Sequence, residues 1–184
     1  MSYDIYCYKS TLNKPDIDEA SQVIDDDNDK WVKKPHNYKT KIAIEKALTD
    51  FDSNLEGFNY ADLAEKKNKS IDDIKREFKK FELNTTDDEP EIQIEIFDYH
   101  VAIIIPYLYQ GDKAKKVFGK LKAYIKIIRE TAGYFIYDPQ TEEVYDPIDN
   151  RFDGLRKYLS VSEDIDDILK SNEQSQNKKP WWKF

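Results

Sequence analysis

Residues Gly111–Asp146 constrain the fold more than any other part of the chain. Val117, Leu121, Tyr124 and Ile128, flanked by Phe118 and Ile125, recur at the three-and-four spacing of one helix face, with lysines filling the other. Gly133 stands where a helix ends in the left-handed conformation. Two short tyrosine-rich runs follow, Tyr134–Tyr137 and Glu143–Tyr145, joined through Asp138-Pro139-Gln140-Thr141, a sequence suited to a type I turn. An amphipathic helix feeding a hairpin implies a helix packed on an antiparallel sheet, which is an α+β architecture.

Further strands are legible from period-two patterning. Tyr3–Lys9 places Tyr3, Ile5 and Cys7 on one side. Glu91–Phe97 alternates Ile92, Ile94 and Ile96 with Glu91, Gln93 and Glu95. Val101–Tyr107 is apolar on both faces, as a central strand is, and Pro106 is expected to end its pairing. With the hairpin, these give an antiparallel sheet of about five strands, its helices mainly on one face. Expected helices run from an Asp16 cap through about Ile24, over Tyr38–Phe51, as two short pieces in Asn59–Phe81, and from an Asp112 cap to Glu130. Two more are expected near Asp153–Leu159 and Asp164–Leu169. Asp25–Asp29 reads as an acidic loop, Lys30–Lys33 as a further strand and Asn84–Pro90 as a polar loop. Residues 1–170 read as one domain and 171–184 as a polar tail ending in Trp181, Trp182 and Phe184.

The totals narrow the function classes. There are 37 acidic against 29 basic residues, a formal charge of −8. That disfavours duplex nucleic acid, whose phosphates need a basic footprint, and favours attraction to basic partners. Cys7 is the single cysteine, so an intrachain disulfide is impossible. No apolar run reaches the roughly 20 residues of a membrane span, and the N-terminus lacks the basic-then-apolar order of a signal peptide. A cytoplasmic protein without a membrane segment is the expectation.

Chemical motifs are sparse. Asp25, Asp27 and Asp29 mimic the start of a calcium loop, but the glycine and glutamate positions hold Lys30 and His36. His36 and His100 are the only histidines; His100 stands beside Asp98, so a histidine–carboxylate pair is conceivable, yet a surface or turn histidine is the preferred reading. Cys7, inside a strand, reads as core filler. Ala64–Ile74 has helix-turn-helix spacing with Asn68 at the turn, but the second helix opens with Asp72 and Asp73, which phosphates repel. No catalytic residue, metal ligand set or cofactor motif is expected. The residues that could meet a partner are Asp138, Glu142, Asp146 and Asp149 around the hairpin, with Trp181, Trp182 and Phe184, since tryptophan is enriched at interface hot spots.

The stretches EIQIEIFDYHVAIIIPYLYQG and GYFIYDPQTEEVYD resemble segments of small bacterial cytosolic α+β proteins, some of them similar to immunity proteins that neutralise toxins. The resemblance covers roughly Glu91–Asp146 and carries no functional residues. Its hairpin has glycine at the place of Glu142. The acidic balance, the exposed carboxylates and the absence of catalytic clusters give the expected function: a non-catalytic acidic protein that binds a basic protein, an immunity protein being one form. The alternatives are an enzyme with a carboxylate site around Asp138–Asp149 and a DNA-binding regulator using residues 61–81.

Overall fold

The computed structural model describes residues 2–28, 36–86, 89–149 and 154–161. Along the chain run β1 (Ser2–Tyr8), α1 (Ile17–Asn28), α2 (Tyr38–Phe51), β2 (Leu55–Gly57), α3 (Tyr60–Lys67), α4 (Ile71–Glu77), β3 (Phe81–Thr85), β4 (Gln93–Ile96), β5 (His100–Pro106), α5 (Gly111–Ala132), β6 (Phe135–Asp138) and β7 (Glu143–Tyr145). A short 3-10 turn at Pro147–Asp149 and a helix at 154–161, α6, complete the described elements. The architecture is α+β.

Seven strands, rather than about five, form one sheet in the order β2-β3-β4-β5-β1-β6-β7, with every pairing antiparallel. β2 and β3 are the additions; part of β3 falls in what reads from sequence as a polar loop. β5 is central, as its two apolar faces require, and its pairing runs through Pro106 opposite Ser2, one residue further than the proline suggests. The proline sits at the strand's last position, where its missing N–H costs least. β5 and β6 flank β1 on opposite sides, so α5 carries the chain over β1 from one to the other.

One sheet face holds the core. Tyr3, Ile5 and Cys7 of β1 align with Ile103 and its neighbours on β5, with Ile94 and Ile96 on β4 and with Phe81 and Leu83 on β3. Against them pack Ile44 and Leu48 of α2, Ala64 of α3, Ile74 of α4, and Val117, Leu121, Tyr124 and Ile128 of α5, all buried. Phe51, expected on the inner stripe of α2, is 57% exposed at the helix end and stands edge-on to Tyr124 at 6.3 Å. Cys7 is 1% exposed, and burial pushes its thiol up to about 12, the behaviour of a core filler. Gly133 takes the left-handed conformation, φ 74°, that closes α5. At the other end Gln110, not Asp112, occupies the cap position; the Asp112 side chain lies outside, paired with Lys115 at 3.0 Å.

α1 is the exception to one-sided packing. The Asp16 Oδ1 accepts the Glu19 N–H at 2.8 Å, the expected cap. The helix then continues through Asn28, so Asp25–Asn28 is helix and not loop. It lies against β1, β5 and β7 at the end of the other face, where Tyr8 and His100 stand opposite each other. The expected strand at Lys30–Lys33, the helix at Asp164–Leu169 and the tail lie outside the described residues.

Candidate binding groove at the sheet edge

β2 ends the sheet and has one neighbouring strand among the described residues. Gly57 crosses β3 so closely that a Cβ there would sit 3.1 Å from Leu83 Cδ2. The chain then leaves the sheet through Phe58 and enters α3, whose cap is Asn59: its side-chain oxygen accepts the Ala61 N–H at 3.0 Å. An aromatic just before such a cap commonly packs back on the helix's first turns. Phe58 rests edge-on against Tyr60 at 5.0 Å and near Phe78 at 5.8 Å, yet stays 54% exposed. Tyr60 in turn meets Phe78 edge-on at 5.1 Å.

These rings form the apolar wall of a groove of about 750 Å³, which is completed by Glu56, Lys80, Glu82 and the Asn84–Thr86 end of β3. A shallower depression of about 450 Å³, bordered by Glu45 and Lys75, lies on the other side of Phe58. The charged lining of the groove mixes Glu56 and Glu82 with Lys80. The Tyr60 hydroxyl is pushed up to about 12, first by burial and then by the Glu45 and Glu82 carboxylates. Lys75 lies 2.6 Å from Glu45 Oε2 and over the Tyr60 ring at 5.1 Å. Lys80 is paired with Glu95 and stands 3.5 Å from Glu82 Oε2. Glu56 is exposed on the rim. An exposed ring between two hollows, rimmed by paired charges of both signs, suits an apolar or aromatic side chain.

The residues expected to meet a partner do not converge here. Asp138 is 1% exposed, and its Oδ2 accepts the Tyr3 hydroxyl at 2.6 Å while its Oδ1 accepts the Gln140 N–H at 2.9 Å. Burial, then Asp138, raises the Tyr3 hydroxyl far above its ordinary value. Asp146 is half-buried, held by Arg129 Nε at 2.9 Å, and lies below the usual carboxylate range: burial raises it, but the Arg129 bonds outweigh that. Glu142 and Asp149 are exposed. The four carboxylates therefore form no single site. Trp181, Trp182 and Phe184 lie outside the described residues.

The two histidines pair with aspartates, in a different arrangement from the adjacent one. His100 Nδ1 lies 3.0 Å from Asp27 Oδ2, and Asp98 Oδ2 meets His36 Nδ1 at 3.0 Å. Asp98 Oδ1 also accepts the Asn37 N–H at 3.0 Å and lies 3.3 Å from the buried Lys41 Nζ, which donates to the Phe78 and Lys79 carbonyls. These contacts fasten α1, α2 and the end of α4 to the β4–β5 turn. In the α3–α4 segment Asn68 is left-handed, φ 51°, and the Ser70 oxygen accepts the Asp73 N–H at 3.1 Å, as the spacing requires. Asp72 faces outward, bonded to Tyr38 and Arg76.

Phe58 escapes sequence reasoning because a lone aromatic between a three-residue strand and a short helix belongs to no periodic pattern. The one available signal is Gly57-Phe58-Asn59, a large apolar residue between a strand glycine and a helix cap. Among the described residues no helix is long and apolar enough to cross a membrane. No protein-family model, no curated protein and no solved structure matches this chain.

Proposed function

We propose that this chain is a non-catalytic protein that binds another protein, basic in character, through the groove centred on Phe58. The observation that carries the reading is Phe58 itself. A phenylalanine 54% exposed between two hollows gains little for the fold and much for an interface. The overall charge of −8 supports a basic partner, because complementary fields raise association rates. In its narrower form the partner is a toxin that the acidic chain neutralises.

The test is affinity capture from the host's lysate at low and moderate salt, comparing the unaltered chain with Phe58→Asp. The reading expects one dominant basic protein, weakened by salt and lost with Phe58→Asp. Capture indifferent to both salt and the substitution, or no capture at all, overturns it.

A further inference from the structure

The two hollows beside Phe58 lie on opposite faces of the sheet. Glu56, Glu82 and Asn84 line the larger one and share the face away from the core helices, Glu56 standing opposite Asn84 in register. Gly57 and Leu83, with Ile42 and Thr49 of α2, line the smaller one on the core side. Between them runs the outer edge of β2. The Thr86 N–H donates to the Asn54 carbonyl at 2.9 Å. Hydrogen-bonded pairs of this antiparallel ladder therefore fall at Asn54–Thr86 and Glu56–Asn84, and Leu55 and Gly57 turn their backbone groups away from β3. The Leu55 N–H is taken by the Asp52 carbonyl at 3.1 Å. The Leu55 carbonyl and both backbone groups of Gly57 meet no hydrogen-bond partner among the described residues. Such groups are what an added strand pairs with.

An added strand sends successive side chains to opposite faces, and a hollow lies on each. The antiparallel sense, which every pairing of this sheet has, is the more stable per residue. In that sense the residue opposite Glu56 makes a non-hydrogen-bonded pair with it, the kind in which side chains approach most closely, and enters the larger hollow. Charge selects what that residue is. Lys80 is already shared, paired with Glu95 and 3.5 Å from Glu82. Glu56 is exposed and has no ion pair among the described residues. A lysine or arginine opposite it supplies the counter-ion and lays its stem along the Phe58 ring. In the smaller hollow the charges already cancel, Lys75 with Glu45 at 2.6 Å and Lys46 with Asp50 at 2.7 Å, so uncharged side chains suit the flanking positions. A second copy of the chain fits less well. In-register antiparallel pairing of β2 with β2 sets Glu56 against Glu56, and like charges directly opposite each other destabilise.

We propose that the protein partner binds by adding an extended segment to the outer edge of β2, antiparallel, with lysine or arginine opposite Glu56 and an uncharged residue on either side of it. Main-chain hydrogen bonds to Leu55 and Gly57 hold the segment, and the two hollows read its alternate side chains. The partner's role rests on the groove at Phe58 being the site of protein binding; the capacity of β2 to accept a strand does not.

The probe is a displayed library of random peptides of about ten residues, selected on the full chain and counter-selected on Phe58→Asp. Enriched peptides should carry a lysine or arginine between two uncharged residues, with no proline at those positions. One such peptide is then synthesised with a single N-methyl group at each residue in turn. An added strand aims alternate N–H groups at its neighbour. N-methylation should therefore weaken binding at least about tenfold at the two residues flanking the cation, and less than about threefold at the cation itself. At saturation the Gly57 amide should exchange its hydrogen at least about tenfold more slowly. Glu56→Lys should weaken the same peptide about tenfold. The methylation and exchange measurements use the unaltered chain, and thermal unfolding checks that the Phe58 and Glu56 variants are folded.

An empty selection overturns the proposal. So do methylation losses spaced three or four residues apart, as a docked helix gives, or a Gly57 amide whose exchange is unchanged. A chain that sediments as a dimer with its Gly57 amide already protected also overturns it, and assigns the edge to a second copy. Partner capture separates the two claims. A partner lost with Phe58→Asp that leaves the Gly57 amide exchanging freely removes the added strand and keeps the function. Peptides that bind with the alternating pattern while no partner is captured at any salt keep the strand-accepting edge and remove the function.

Discussion

His100 Nδ1 and Asp27 Oδ2 lie 3.0 Å apart inside the protein, joining the end of α1 to the first residue of β5. The same carboxylate oxygen accepts the Tyr99 N–H at 2.8 Å. The His100 ring stacks on Phe97 at 4.3 Å and is 1% exposed. Burial raises the Asp27 carboxyl, but the bonds from His100 and Tyr99 outweigh it and leave the group below its ordinary value. Asp27→Ala strands a ring nitrogen and a backbone N–H in the interior. It should cost about 2–4 kcal/mol, read by urea unfolding at pH 7. A loss under about 0.5 kcal/mol would show that α1 is not held by this pair.

The acid limb of stability should carry the signature of Asp52. Burial raises this carboxyl, but Lys120 at 2.8 Å, Tyr124 at 2.5 Å and the Asn54 N–H outweigh it and hold the group down at about 2. A carboxyl lower in the folded than in the unfolded chain stabilises fully above the unfolded value of about 3.9. That stabilisation fades as pH falls from about 4 toward 2. Asp52→Asn should therefore be less stable than the unaltered chain at pH 7 and nearly equal to it at pH 2. Thermal unfolding across that window checks it; a constant difference contradicts the assignment.

Leu121 is fully buried at the middle of α5, between the helix and the sheet. Leu121→Ala should destabilise by about 2–5 kcal/mol, the removed side chain leaving a cavity that the flanking Phe118 and Ile125 fill only in part. Chemical denaturation gives the value directly.

Glu142 holds φ at +54° in the β6–β7 hairpin, a conformation that L-residues with a Cβ avoid. Glycine at this place relieves that cost, at some expense in unfolded-chain entropy. Glu142→Gly should raise stability by about 0.5–1 kcal/mol, seen as a higher unfolding midpoint with an unchanged denaturant slope. Glu142→Val should lower it.

The parts legible in the sequence are those whose partners do not need to be known. Val117, Leu121, Tyr124 and Ile128 mark the inner face of α5 by spacing alone, and Gly133 marks its end. Ile103 and its neighbours make β5 central because nothing polar interrupts them. What stays hidden depends on distant residues. Asp25-Asp26-Asp27 reads as loop because acidic runs favour solvent, yet the helix persists since Asp27 meets His100, 73 residues away. β2 and β3 are short, and Leu55–Gly57 becomes a strand only beside Leu83–Thr85. Asp138 looks like a surface turn residue until Tyr3, from the other end of the chain, points its hydroxyl at it. The groove is the extreme case, since its wall comes from the strand–helix junction at Phe58, the end of α4 and one edge of β3.

The placement of β1 between β5 and β6 bears on how the sheet closes during folding. β1 pairs with β5, about a hundred residues later in the chain, and with β6, later still. Before these strands join it, its Tyr3, Ile5 and Cys7 side chains have no sheet to lie in, while β3 and β4 can already associate as neighbours in sequence. The β3–β4 pairing is thus local in sequence, while both pairings of β1 are long-range and close late in folding. Until those pairings close, β1 is an unpaired strand edge of the kind that a chaperone, or a second copy, would meet.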